Sequence, residues 1–317
     1  MPFLDSKTHI TRKAIFALLM ASMIWGISTP IIKWMLFEVP PFTLGFFRFF
    51  VASSFMFLIF RPNLAIQKKH IPTVILAAII GITIHISLFF FAIRLTSSVN
   101  AAIIASASPI IVVIGAALFL KEHITKGIVM AGILGTIGVS IIIADPLAKE
   151  GISSSFIGNM LLLVGLFFGV GYGLTCKYLF RTYQPMTITF YSFFIGGALF
   201  FPLMLIMDQF PTREMMSTPN FYLGVPFGIV FPSIMAFGLW QWGLSKLPAS
   251  RVGFFSYLDP VITGIAAFFI LGEIVELPVI IGSVFILCSL YFAESKHPYH
   301  HLIDIVRNRE TEYKHQK

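Results

Sequence analysis

Charge is the scarcest ingredient of this 317-residue chain: 22 Lys and Arg and 14 Asp and Glu make 11% of it, against 57% hydrophobic residues and a mean hydropathy of +0.89. Soluble domains carry about a quarter charged residues, so a soluble enzyme, a collagen and a nucleic-acid module are all excluded. Low charge beside 35 phenylalanines excludes disorder as well. Only two cysteines occur, Cys176 and Cys288, both inside apolar runs, and they offer neither a disulfide framework nor a metal site. There is no Gly-Lys dipeptide, hence no Walker A loop for an ATP-driven pump. His-Glu-x-x-His and Gly-x-Ser-x-Gly, the marks of metalloproteases and serine hydrolases, are missing too. The net charge of +8 is dispersed singly or in twos and threes between apolar stretches, which reads as a topology signal and not as a nucleic-acid patch.

What the chain does have is long apolar runs. A helix needs about 20 such residues to cross a bilayer. Ten runs qualify: Ala14 to Ile32, Phe42 to Phe60, Ile71 to Ile93, Val99 to Leu120, Gly127 to Ala144, Phe156 to Cys176, Met186 to Met207, Phe221 to Gly243, Val252 to Leu271 and Leu277 to Ala293. Val39-Pro40-Pro41, Asp145-Pro146 and Leu247-Pro248-Ala249-Ser250 punctuate them. Continuous runs of this length exclude barrel strands, so the expected fold is an all-α integral membrane protein. The first run is too long for a signal peptide and shows no clear cleavage site, and it is kept as a helix.

With the N-terminus inside, seventeen Lys and Arg fall on the inner side and four on the outer, with Arg48 left within a span. That excess places both termini in the cytoplasm and the protein in the plasma or inner membrane. The expected organisation is a cytoplasmic N-terminus (1–13), a first unit of five helices (14–144), an extracytoplasmic linker (145–155), a second unit (156–293) and a cytoplasmic tail (294–317). A metal role for His297, His300 and His301 in that tail is the weaker reading.

The chain also repeats itself. A shift of 151 residues superposes Pro109 on Pro260, Leu120 on Leu271 and Glu122 on Glu273, with Ile111, Ile114 and Ala116 also matched by identical residues. A shift of 144 puts Lys33 on Lys177 and Pro41 on Pro185. Five is odd, so two copies of five helices cross the membrane in opposite senses. Such inverted-topology repeats are a structural route to alternating access.

At this point the chain resembles the drug/metabolite transporter superfamily, and within it the EamA family of ten-helix permeases. The resemblance is carried by Trp25-Gly26, Phe47-Arg48-Phe49, Asn100 to Glu122 with Pro109, and Leu247-Pro248-Ala249-Ser250 through Leu258-Asp259-Pro260-Val261 to Leu271-Gly272-Glu273. It covers roughly residues 14 to 293. It implies movement of small organic solutes, often export of amino acids or other metabolites, from a cavity between the two halves. The chain departs from the family pattern at Asp259, where Glu is frequent, and at Lys121, where the first copy might carry Gly.

Charges inside a span are costly and are expected to face protein or water. Arg48, about 9 Å from the outer helix end, either binds a substrate carboxylate or serves as a structural guanidinium bonding carbonyls. Asp259 lies midway along the ninth helix beside Pro260, which removes a donor and frees the carbonyl of Ser256. With Tyr257 it forms either a cation or proton site or a hydrogen bond between helices. His85 either shuttles a proton or bonds substrate, or is a satisfied polar group. Trp25, Tyr172, Trp240 and Tyr257 are expected to line the cavity, whereas Trp34 and Trp242 read as interfacial. Asn100 and Asn159 read as caps or interhelical bonds. Pro109 and Pro260 mark helix breaks. Glu122 and Glu273 precede the next helix, whose dipole favours them, with gating as the other role. Gly165, Gly169 and Gly173 give a smooth packing face.

The expected function is therefore a secondary transporter, not an enzyme, exporting small metabolites such as amino acids. No cofactor, metal or nucleic acid is expected; the partners are the bilayer, a small-molecule substrate and a coupling proton, and the assembly is a monomer or homodimer. The rival reading is an intramembrane enzyme acting on a lipid-linked substrate.

Overall fold

The computed structural model describes residues 2–121, 126–150, 153–208, 210–273 and 277–295. Glu122 and the tail histidines lie outside them. Among the described residues ten long helices form the bundle, eight of them long and apolar enough to cross a membrane by length and composition (all but α5 and α10): α1 (His9–Met35), α2 (Pro41–Phe60), α3 (Lys68–Leu95), α4 (Ser98–Leu120), α5 (Lys126–Glu150), α6 (Ser154–Leu179), α7 (Pro185–Asp208), α8 (Pro219–Lys246), α9 (Ala249–Leu271) and α10 (Leu277–Ser295). No strand occurs among the described residues. Their flanks are apolar and exposed, as at Phe119, Ile206 and Phe269, each about three-quarters exposed or more, because lipid is the solvent there. The fifth helix runs through Asp145 and Pro146 to Glu150, past the point where the sequence suggests an end. A proline interrupts one backbone bond, and Pro30, Pro202 and Pro232 are likewise carried inside helices.

The packing obeys the inverted repeat. The first helix packs on α9 and α8, and its mate α6 packs on α4 and α3; α2 pairs with α7 and α5 with α10. Exchanging the two halves maps this set of contacts onto itself. Lipid tails are as apolar as side chains, so close backbone approach has to hold the helices together, and glycines provide it. A Cβ on Gly26 would lie 2.7 Å from Ile262, and one on Gly197 would lie 2.6 Å from the backbone nitrogen of Phe50. Rings packed edge to face then fill the interior between α2, α7 and α8, where Phe193 meets Phe49 at 5.0 Å and Phe237 at 5.1 Å.

Two helices are broken at equivalent levels. The fourth helix stops at Ala105 and restarts at Ser108, with Pro109 in the new first turn. The ninth stops at Gly253, passes through a tight 3-10 turn over Phe254–Leu258 and restarts at Asp259, with Pro260 in the new first turn. A proline there loses nothing, since the first-turn N–H groups have no intrahelical partner. The proline thus opens a second helix segment instead of leaving a gap in a continuous one. The Ser108 and Ser256 hydroxyls join the two breaks at 2.9 Å.

Both broken helices end on a left-handed residue: Lys121 at φ 58° and Gly272 at φ 67°, 151 positions apart. At the far end of α7, the Asp208 carboxylate accepts from the Thr43 backbone N–H at 2.7 Å and its hydroxyl at 3.3 Å, capping α2 across the bundle.

Candidate functional site

Between the halves, at the level of the two breaks, lies a cavity of about 270 Å³. Of the residues singled out from sequence, Trp25, Arg48, His85, Tyr172, Trp240 and Asp259 all line it. Tyr257 does not. It is fully buried, its ring lies 5.9 Å from that of Phe254, and a Cβ on Gly135 would come within 2.7 Å of its hydroxyl, so it points into α5. Pro109 lies under a separate apolar crevice between α4 and α5, with Ile110, Val129 and Ile133.

Arg48 is 3% exposed. It sits in a widened, π-helical turn of α2 over Phe46–Val51. Facing it, α8 is widened over Ile229–Phe237, and the reason is local. Pro232 has no N–H to give the Gly228 carbonyl, and Ser233 Oγ donates to that carbonyl instead at 2.9 Å. The same hydroxyl oxygen accepts from Arg48 Nε at 2.8 Å. The guanidinium carbon lies 4.9 Å from the centre of the Phe49 ring and 5.9 Å from that of Phe90. No carboxylate pairs with Arg48 among the described residues. The guanidinium is thus fixed at Nε while its terminal nitrogens are left for whatever enters the cavity.

Asp259 begins the second half of α9, and its Oδ1 is buried without a hydrogen bond among the described residues. The neighbouring Ser22 hydroxyl donates to the Phe255 carbonyl at 3.0 Å. His85 follows a widened turn of α3 over Ile79–Ile84, which matches the widened turn of α8 under the 151-residue shift. Its Nδ1 lies 2.8 Å from the Gly165 carbonyl. A carbonyl only accepts, so Nδ1 carries the proton, and Nε2 of the neutral ring is an acceptor. The ring rests on Gly169, where a Cβ would lie 2.9 Å from Cε1. The small-residue face of α6 therefore seats a polar ring as well as packing a helix.

The aromatic walls are locked by their neighbours. Trp25 Nε1 donates to the Pro232 carbonyl at 3.0 Å, so its polar tip is spent on α8 and its ring face is what the cavity meets. That ring lies 5.2 Å from Phe237 and 5.1 Å from Trp240. Tyr172 lies directly over Gly81, where a Cβ would collide with the ring.

Glu273 also reaches a helix that the sequence did not single out for it. Its carboxylate pairs with Lys33 Nζ at 2.9 Å and accepts from the backbone N–H groups of Ser98, at 3.0 and 3.1 Å, and Val99, at 3.3 Å. The helix start it caps is that of α4. Lys33 also donates to the Thr96 carbonyl at 2.9 Å. At the inverted position Lys177 donates to the carbonyls of Leu244 and Leu247 at 2.7 and 2.6 Å. Asn100 and Asn159 are tied to one another through Thr96, whose hydroxyl accepts from Asn100 Nδ2 at 3.2 Å and donates to Asn159 Oδ1 at 2.8 Å.

Sequence reasoning missed Ser233 and Gln241. Gln241 is 1% exposed and lines the cavity, and an amide between two tryptophans inside an apolar span was a signal of its own. Among the described residues no group of three or more His, Cys, Asp or Glu is placed to hold a metal ion.

The EamA-like transporter family matches the chain twice, over residues 12–144 and 156–294. An uncharacterized transporter of Archaeoglobus fulgidus is 26% identical over 92% of this chain and 99% of its own length. The uncharacterized transporter YyaM of Bacillus subtilis is 28% identical over 81% of this chain and 88% of its own. A solved crystal structure shares the fold at a TM-score of 0.67, with 18% identity, over 90% of this chain and 96% of that one. A duplicated match, relatives that are transporters by name and a bundle enclosing a cavity make this an integral membrane transporter of small molecules and not an enzyme. The chain belongs to the EamA-like transporter family, within the drug/metabolite transporter superfamily.

Proposed function

We propose that the protein is a secondary transporter that exports small zwitterionic metabolites, amino acids foremost, by alternating exposure of the central cavity. The observation that carries this reading is that a basic and an acidic side chain, Arg48 and Asp259, both line the one small cavity without an ion pair between them among the described residues. Arg48 has no carboxylate partner among the described residues, and Asp259 Oδ1 has no hydrogen bond. An uncompensated guanidinium inside a membrane is expensive, and a substrate carboxylate relieves that cost by a bidentate bond. Asp259 takes the ammonium group, and the rings of Trp25, Phe237 and Trp240 hold the body. When the cavity is empty, Asp259 or His85 Nε2 holds the coupling proton.

Alternating access is supported by the inverted packing and by the two breaks that meet at Ser108 and Ser256. The basic inner segments support cytoplasmic termini in a plasma or inner membrane, with the repeats at 14–144 and 156–293 joined by an extracytoplasmic linker. The protein works as a monomer or homodimer.

The test is flux of a pooled set of labelled amino acids in proteoliposomes, with and without a pH gradient, for wild type and Asp259→Asn. Gradient-driven flux that the variant loses supports the reading. Flux that ignores both the gradient and the variant removes proton coupling through Asp259, and no flux of any amino acid overturns the substrate class.

A further inference from the structure

Arg48 of α2 apart, the cavity is lined by helices that pack as two groups: α1 on α8 and α9, and α6 on α3 and α4. Each group borrows one helix from the other half of the sequence, and the cavity lies between them. Two lysines bridge the groups, one at each end. Lys33 of α1 donates to the Thr96 carbonyl at 2.9 Å, at the corner between α3 and α4. Lys177 of α6 donates to the Leu247 carbonyl at 2.6 Å and the Leu244 carbonyl at 2.7 Å, at the corner between α8 and α9. Lys33 and Lys177 superpose under the 144-residue shift, and Thr96 and Leu247 under the 151-residue shift. Each of those two carbonyls belongs to the extended residue that closes the first helix of its corner. The Lys33 bridge is doubled, because Glu273 of α9 pairs with Lys33 and accepts from the N–H groups of Ser98 and Val99 in α4.

A lysine near the end of a span can simply extend its ammonium to water. Both of these instead fold onto a corner of the opposite group. A flexible side chain on a corner carbonyl is a bond that can be made and broken without repacking a helix. Exposing the cavity on one face parts the groups at that end and breaks the bridge there, while the bridge at the other end has to hold.

We propose that Lys33 and Lys177 are reciprocal latches on the cavity, Lys33 with Glu273 holding the outer end and Lys177 the inner end, each access state being reached by releasing one while the other stays made. This rests on the alternating-access reading above and assigns its gates, whichever solute is carried.

The experiment measures access to the cavity with no solute present. A single cysteine is placed at Gly173, which lines the cavity and where a Cβ would meet nothing within 4 Å, with Cys176 and Cys288 replaced by alanine. Its labelling by a membrane-impermeant maleimide is timed from each face, in right-side-out and inverted vesicles. Lys33→Met is expected to speed labelling from the outer face roughly tenfold and to slow it from the inner face, and Lys177→Met to do the reverse; tenfold is the worth of one charge-assisted hydrogen bond. Should a methionine variant fail to purify, Glu273→Gln for the outer bridge or Lys177→Gln for the inner one takes its place. Shifts of opposite sign support the latches. Unchanged labelling, or faster labelling from both faces in both variants, overturns them, the latter being what a general loosening of the bundle gives. Wild type labelled freely from both faces at once overturns alternating access itself. Opposite shifts in a protein that carries no amino acid support the latches and overturn only the substrate class.

Discussion

Lys33 and Glu273 stand 240 residues apart in sequence and 2.9 Å apart in space, and the carboxylate simultaneously caps the start of α4. One side chain thus ties three helices together on the face opposite the basic loops: α1 through the ion pair, α4 through its free N–H groups and α9 through the chain. The pair is partly shielded, at 17% and 14% side-chain exposure, so it is screened less than a surface pair. Lys177, the mate of Lys33 under the 144-residue shift, clasps the break between α8 and α9 at the other end of the bundle.

Glu273→Gln keeps the shape and removes the charge. It is expected to cost about 1–3 kcal/mol, since charge-assisted bonds to Lys33 and to two backbone N–H groups are weakened together. Thermal unfolding in detergent, run as a double-mutant cycle with Lys33→Met, reads the coupling. A coupling near zero would mean that the pair is only a near neighbour.

Ser233→Ala deletes the one side-chain hydrogen bond that fixes Arg48 Nε and also uncovers the Gly228 carbonyl. The guanidinium loses its orientation but not its charge. The expected outcome is a KM for a carboxylate-bearing substrate raised roughly three- to tenfold, from about 1 kcal/mol of lost positioning, with the maximal rate less affected. Arg48→Lys is expected to be worse, because an ammonium cannot reproduce the planar fork. An unchanged KM in both variants would remove Arg48 from the binding site.

Lys121 and Gly272 occupy the same left-handed position at the ends of α4 and α9, and only one of them is a glycine. For a residue with a Cβ that conformation costs roughly 1–2 kcal/mol. Lys121→Gly should therefore stabilise the protein by about 1 kcal/mol and Gly272→Ala destabilise it by a similar amount, although nothing lies within 4 Å of a Cβ at Gly272. Opposite shifts in melting temperature are expected, and equal or reversed shifts would refute the strain argument.

Gly169 and Gly173 share a face of α6 but not a fate. A Cβ at Gly169 would lie 2.9 Å from His85 Cε1 and 3.0 Å from Nδ1, while at Gly173 it would meet nothing within 4 Å. Gly169→Ala is expected to displace the imidazole from the Gly165 carbonyl at a cost of about 1–3 kcal/mol. Gly173→Ala should be neutral or slightly stabilising in the melt, since alanine is the better helix former. Similar losses in both variants would show that the whole stripe packs a helix and that the histidine has no special seat.

Several parts of the site were legible in the residues themselves. Arg48 and Asp259 stood out because a charge in a span has to face something polar. Pro109 and Pro260 stood out because they recur 151 positions apart, and both open the second half of a broken helix. Tyr257 and Glu273 show where such reading stops. The first is two residues from Asp259 and was grouped with it, yet on the tight 3-10 turn it points toward α5. The second stands just before α10 in sequence, and its carboxylate caps the start of α4.

The sequence by itself determined the spans, the duplication, the inversion that an odd helix number forces and the few polar residues the membrane would not tolerate unpartnered. It left open which side of each helix faces inward, because a helix that is apolar all round has no face written into it. Only the tertiary structure decided that. Glycines choose which backbones approach, and the approach sets the rotation of each helix. That rotation put Gln241 on the cavity wall, Ser233 under Arg48 and the Tyr257 ring outside.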